Sequence, residues 1–177
     1  MKTISKILSA AIVLMTASNA KAQSSTTADA FATIVAPIAI TNTAAMNFGN
    51  VAVQGTTSVG GAAGTGGTVV LTPGGSRSVT SGVTLPAGST GVSAAIFTVT
   101  GDGNRTYAIT LPSSDVTLTH SGNSATMTVN TFTSNPSGTG TLSGGTQTLN
   151  VGATLNVAVG QLPGVYSGQY TVMVNYN

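Results

Sequence analysis

Few side chains in this sequence can titrate, attack a substrate or bind a metal. The 177 residues hold three aspartates (Asp29, Asp102 and Asp115), no glutamate, one histidine (His120), no cysteine and five basic residues. General acid–base and nucleophilic catalysis need such groups in matched sets, and glycoside cleavage needs two carboxylates flanking a cleft. Only Asp102 and Asp115 are close in sequence. A Ser-His-Asp set can be assembled on paper, but no serine sits in a G-x-S-x-G elbow that would position it. His120 stands beside Ser121-Gly122-Asn123 and reads as an exposed residue at a hairpin tip. Asp102 lies in Gly101-Asp102-Gly103-Asn104, which offers oxygen ligands without the repeated acidic positions of a calcium loop, so an Asx turn is expected there.

Without cysteine there is no thiol nucleophile, thiolate zinc site or disulfide, and the fold must be held by its core and its backbone pairing. Two glycine-rich runs, Gly60 to Gly67 and Gly138 to Gly145, lack the lysine and following helix of a phosphate loop and read as connections between strands. The expectation is a protein that is not an enzyme and that uses no cofactor and no metal.

Three of the five basic residues lie at one end. Lys2, Lys6 and Lys21 precede or flank an apolar run from Ile7 to Ala17 and a small-x-small site at Ala20-Lys21-Ala22, the layout of a secretory signal peptide over residues 1–22. Its apolar core is about half the roughly 20 residues a spanning helix needs, so no stable membrane anchor is expected. Cleavage after Ala22 would take 22 residues from 177 and leave 155, enough for one domain. Arg77 and Arg105 then face three aspartates, a formal charge of 2 minus 3, or −1, and no basic patch is left for nucleic acid. Ser, Thr, Asn and Gly must keep the surface wet, which suits a protein packed into an assembly.

Beyond the leader, short runs of Thr, Val, Ile, Leu and Ala alternate with Gly, Ser, Pro and Asn, a pattern of strands and turns. Strands are predicted at 32–40, 46–53, 68–72, 78–85, 95–100, 106–111, 116–119, 126–132, 146–150, 154–159 and 166–176. No segment repeats apolar residues at helical spacing for three turns, and β-branched side chains fit a pleated surface better than a helix. Many short strands joined by irregular loops predict an all-β, antiparallel sandwich of two sheets.

The last predicted strand has the clearest period of two. Tyr166, Gly168, Tyr170, Val172, Val174 and Tyr176 share one face; Ser167, Gln169, Thr171, Met173, Asn175 and Asn177 share the other. A strand at a sheet edge is a template for pairing, so its open side must meet another part of this chain or another molecule.

Pro163-Gly164-Val165-Tyr166-Ser167-Gly168-Gln169-Tyr170-Thr171-Val172, running to a penultimate Tyr176, resembles the closing strand of chaperone–usher pilus subunits, with its G-x-Y-x-G/D-x-hydrophobic pattern. Met46-Asn47-Phe48-Gly49-Asn50-Val51 resembles the hydrophobic-x-F-G-x-V stretch of those subunits and of spore-coat U type proteins. The whole chain from residue 28 to 177, with Ala32 to Ile40 and Gly144 to Gly152, is more similar still to a bacterial surface family, domain of unknown function 4402. The pilin resemblance implies an immunoglobulin-like (pilin-like) sandwich that lacks its last strand. A periplasmic chaperone and an outer-membrane usher would handle it, and the N-terminal extension of a neighbouring copy would complete it in a fibre at the cell surface.

On that reading residues 1–22 are the signal peptide, 23–33 the extension and candidate donor strand, and 34–177 the sandwich. The acceptor-groove edge would carry Tyr170, Val172, Val174 and Tyr176. The donor would present Ala28, Ala30, Ala32 and Ile34, preferred to Asp29, Phe31, Thr33 and Val35 because burying an unpaired carboxylate costs several kcal/mol. Pilin donor strands usually carry bulkier residues, and many of those subunits have a disulfide. The alternative is a self-complete secreted or surface binding module, possibly for carbohydrate, closed by its own N-terminal strand. Against it, the eight Phe and Tyr residues fall mostly at core-alternation positions and leave no evident sugar-stacking platform.

Overall fold

The computed structural model describes residues 22–53, 55, 64–80 and 82–177. The expected leader lies outside these residues except for Ala22, as do positions 60–63 of the first glycine-rich run. The chain divides into two units, Met1–Ile34 and Val35–Asn177. In the first, residues 22–34 belong to no strand and are exposed throughout.

The second unit is all-β, and no helix occurs among the described residues. Its strands are β1 (Ala39–Ala44), β2 (Ala52–Val53), β3 (Gly67–Leu71), β4 (Arg77–Val79), β5 (Val83–Thr84), β6 (Ala95–Thr100) and β7 (Thr106–Thr110). They continue as β8 (Val116–His120), β9 (Thr126–Asn135), β10 (Thr139–Thr141), β11 (Thr146–Val157), β12 (Tyr166–Ser167) and β13 (Met173–Tyr176). An eight-stranded sheet runs β1-β6-β11-β9-β8-β12, with β3 also paired to β11 and β4 to β3. A three-stranded sheet runs β10-β7-β13, and β2 pairs with β5. All ladders are antiparallel.

β11 is the spine. Its alternation places Leu149, Val151, Leu155 and Val157 in the core and leaves Thr146 and Thr148 exposed. Residues 146–151 pair with β6 and residues 153–157 with β3, so one long strand serves two neighbours in turn. Gly152 stands at the change of partner, where a Cβ would run into the Leu71 carbonyl and the Thr72 backbone. Glycine permits that close approach, which is why the two strands predicted at 146–150 and 154–159 are one. On the other side of β11, the pairing with β9 shifts register opposite Thr131, whose φ of 49° is left-handed. The extra residue makes a β-bulge that bends β9.

Other predicted strands are cut shorter for identifiable reasons. The 32–40 strand begins only at Ala39, since Pro37 has no amide to give a ladder. In 46–53, Gly49 (φ 67°) turns the chain and its N–H donates to Asn47 Oδ1 at 2.8 Å. That leaves an isolated bridge from Asn47 to Ser93 and the two residues of β2. The 78–85 strand divides at Gly82 (φ 86°) into β4 and β5. The 166–176 strand divides into β12, which pairs with β8, and β13, which pairs with β7, so the chain crosses between sheets over 168–172.

The core has two clusters. One joins Ala95, Val99, Leu149 and Val151 of the large sheet to Tyr107 and Leu142 opposite. The other gathers Val69, Leu71, Val129, Ala153, Leu155 and Val157 with Phe48 and Val83. Met46 and Phe132 pack on both clusters and join them.

Candidate functional site

The ionisable residues of the second unit act as braces at separate places. Asp102 pairs with Arg105 Nε at 2.8 Å on the surface. Asp115 accepts from Asn130 Nδ2 at 3.1 Å. Arg77 is half-buried, and its Nη1 donates to the Phe48 and Asn50 carbonyls at 2.5 and 3.2 Å, fixing that irregular segment to β4. No three His, Asp, Glu or Cys side chains gather to hold a metal ion among the described residues.

His120 differs from the exposed turn residue expected. It ends β8 half-buried, with its ring edge-on to Tyr166 at 5.0 Å between centroids. Its Nδ1 accepts the Gly122 N–H at 2.9 Å, which puts the proton on Nε2 to donate to the Pro163 carbonyl at 3.0 Å. The Tyr166 hydroxyl donates to the Leu162 carbonyl at 2.8 Å and accepts from Gln161 Nε2 at 2.7 Å. These bonds pin the 161–166 loop to the β8–β9 hairpin.

That loop walls a groove of about 940 Å³. The floor is apolar: Val116 and Leu118 of β8, Met127 and Val129 of β9, and Leu155 and Val157 of β11. One wall is the segment from Ala45 to Val53; the other runs from Gln161 to Gly168 and includes Tyr170. A Cβ on Gly168 would strike the Thr117 carbonyl and Leu118, so this wall lies directly on β8. From Gln169 to Val172 burial alternates, with Tyr170 and Val172 half-buried, yet the five residues 168–172 make no backbone–backbone hydrogen bond among the described residues. An apolar floor beside an unpaired backbone edge can accept another strand: backbone bonds along the edge, side chains on the floor.

Of the four residues expected at the groove edge, only Tyr170 lines the groove. Its ring meets Phe132 at 5.0 Å between centroids, and burial pushes its phenol up to about 12. Val172, Val174 and Tyr176 pack on the other cluster. The Tyr176 hydroxyl accepts the Asp102 N–H at 2.6 Å and donates to the Ala36 carbonyl at 2.8 Å. Ala28, Ala30, Ala32 and Ile34 lie on the exposed 22–34 segment, with Ile34 97% exposed.

Sequence reasoning did not foresee the wall at 161–165. Leu162 and Val165 are 51% and 69% exposed, and two exposed apolar residues around Pro163-Gly164 were its available signal. No curated protein and no solved structure matches the chain. A family model does match, over residues 38–176, which takes in all thirteen strands of the described residues and both walls of the groove. The chain therefore belongs to the family described as Domain of unknown function (DUF4402).

Proposed function

We propose that this protein is a structural subunit of a bacterial surface fibre, assembled by strand donation from one copy to the next. On this reading the second unit is an immunoglobulin-like, pilin-like sandwich that lacks one strand. The signal peptide takes the chain out of the cytoplasm, and a periplasmic chaperone and an outer-membrane usher handle the open edge before assembly. One observation carries the proposal: the apolar groove of about 940 Å³ is bordered at Gly168 and Tyr170 by a run of backbone, 168–172, with no ladder partner. A strand laid there would satisfy those amides and carbonyls and cover Leu118 and Met127, which are only partly buried. Because donor and acceptor are different surfaces of the chain, repetition gives an open filament instead of a closed ring.

Deleting residues 23–33 tests this. The expected outcome is normal export and chaperone binding with loss of polymers, read as disappearance of an SDS-resistant ladder that collapses on boiling. A deletion variant that still forms the ladder excludes strand donation by this extension.

A further inference from the structure

We infer that the donated strand is anchored by Phe31, with residues 29–33 of one copy lying along residues 168–172 of the next. This rests on the strand-donation reading above and departs from the Ala28, Ala30, Ala32 and Ile34 face preferred on sequence grounds. Two large apolar side chains stand out on the extension, Phe31 at 93% and Ile34 at 97% exposed. Since side chains alternate along a strand, 31 and 34 cannot enter one groove together.

Chain length decides between them. The extension joins the folded unit at Val35, already half-buried. A residue spans at most about 3.3–3.6 Å. Ile34 has a single peptide unit of slack before Val35, so seating it in a neighbour would press two folded bodies together at that point. Phe31 has Ala32, Thr33 and Ile34 as a spacer of about 10 Å or more. The face preferred on sequence thus loses its only large side chain and keeps three methyl groups for a floor of Leu, Met and Val side chains.

The unpaired run 168–172, of which Gly168 and Tyr170 line the groove, has room for about five donor residues; centring them on Phe31 gives 29–33 and sets Phe31 beside Tyr170. Asp29 shares the Phe31 face but is two residues away, about 6.6 Å along a strand. It marks where the donor leaves the apolar floor for the polar rim at Asn47, Asn50 and Thr90 or at Gln161 and Ser167.

The test uses the mature full chain, whose lack of cysteine removes background. Single cysteines placed in turn at positions 28 to 34 are combined with Leu118→Cys and, separately, with Met127→Cys, and intermolecular disulfides are read on non-reducing gels. Cross-linking is expected to alternate along the extension, with its maximum for Phe31→Cys. In parallel, Phe31→Ala should weaken self-association by about 10- to 100-fold, the effect of losing one buried aromatic side chain, while Ile34→Ala changes it little. A cross-linking maximum at 30 or 32, or loss of association in Ile34→Ala with Phe31→Ala unaffected, overturns the Phe31 register and leaves strand donation standing. Polymers that persist after deletion of 23–33 instead overturn strand donation itself.

Discussion

The eight-stranded sheet is covered differently at its two ends. Over β6 and the first half of β11, the β10-β7-β13 sheet closes the core so fully that Val99, Tyr107, Leu142, Leu149 and Val151 are all 0% exposed. Beneath the 46–53 segment and the 161–170 wall, Leu118 and Met127 are only partly buried and floor an open groove. The same spine strand serves both halves, so the contrast does not come from a weak sheet. It comes from the facing layer, where β13 has a ladder partner in β7 and the preceding five residues have none. Single apolar residues such as Val70, Val79 and Met173 are exposed elsewhere, but Leu118 and Met127 are brought together with the exposed Leu162 and Val165 around one groove.

Truncations should expose that contrast. Tyr107→Ala in the closed half removes a fully buried ring whose hydroxyl donates to Gln147 Oε1 at 2.8 Å. It should cost about 3–5 kcal/mol in denaturant unfolding, as aromatic-to-alanine changes in cores do. Met127→Ala on the groove floor should cost the isolated protein about 1 kcal/mol or less, since its side chain is already partly in water. Equal losses at the two positions would remove the distinction.

Arg77→Ala lies between these. It frees the Phe48 and Asn50 carbonyls and loosens one groove wall, at about 1–3 kcal/mol. Alkaline titration gives a smaller signal. Unfolded tyrosines lose their protons near 10, while folded Tyr170 keeps its own up to about 12, and burial also raises Tyr107. Across that window the unfolded state binds fewer protons, so stability falls as pH rises. Tyr170→Phe should flatten part of the fall, followed by unfolding midpoints and phenolate absorbance. Arg105→Ala breaks an exposed pair whose side chains are 54% and 37% accessible and should shift stability by at most about 1 kcal/mol, diminishing with salt.

The alternation in Thr106 to Leu111, Thr126 to Phe132 and Tyr166 to Tyr176 made the all-β class legible, and Tyr170, Val172, Val174 and Tyr176 do share a half-buried face. Periodicity cannot show where a strand changes sheets, because the sequence alternates unbroken from Tyr166 to Tyr176 while β12 pairs with β8 and β13 with β7. Nor could it show that Gly152 continues a strand while Gly49 and Gly82 interrupt one: glycine serves both ends, and the choice depends on a neighbour distant in sequence. The groove was only half readable. Its Tyr170 edge follows from the terminal pattern, whereas the opposite rim at 161–165 depends on His120, more than forty residues earlier, reaching the Pro163 carbonyl.

The bond from Tyr176 Oη to the Ala36 carbonyl has a mechanical meaning. A pull on residues 22–34 would enter the folded unit at Val35, one residue before this bond. There it meets β13 through the Tyr176 hydroxyl as well as β1 further along the chain, with Ile38 and Ile40 seated in the closed core. A load applied to β1 alone would unzip its ladder with β6 one bond at a time. Routed also through Tyr176, the pull is shared by two sheets from its first point of entry.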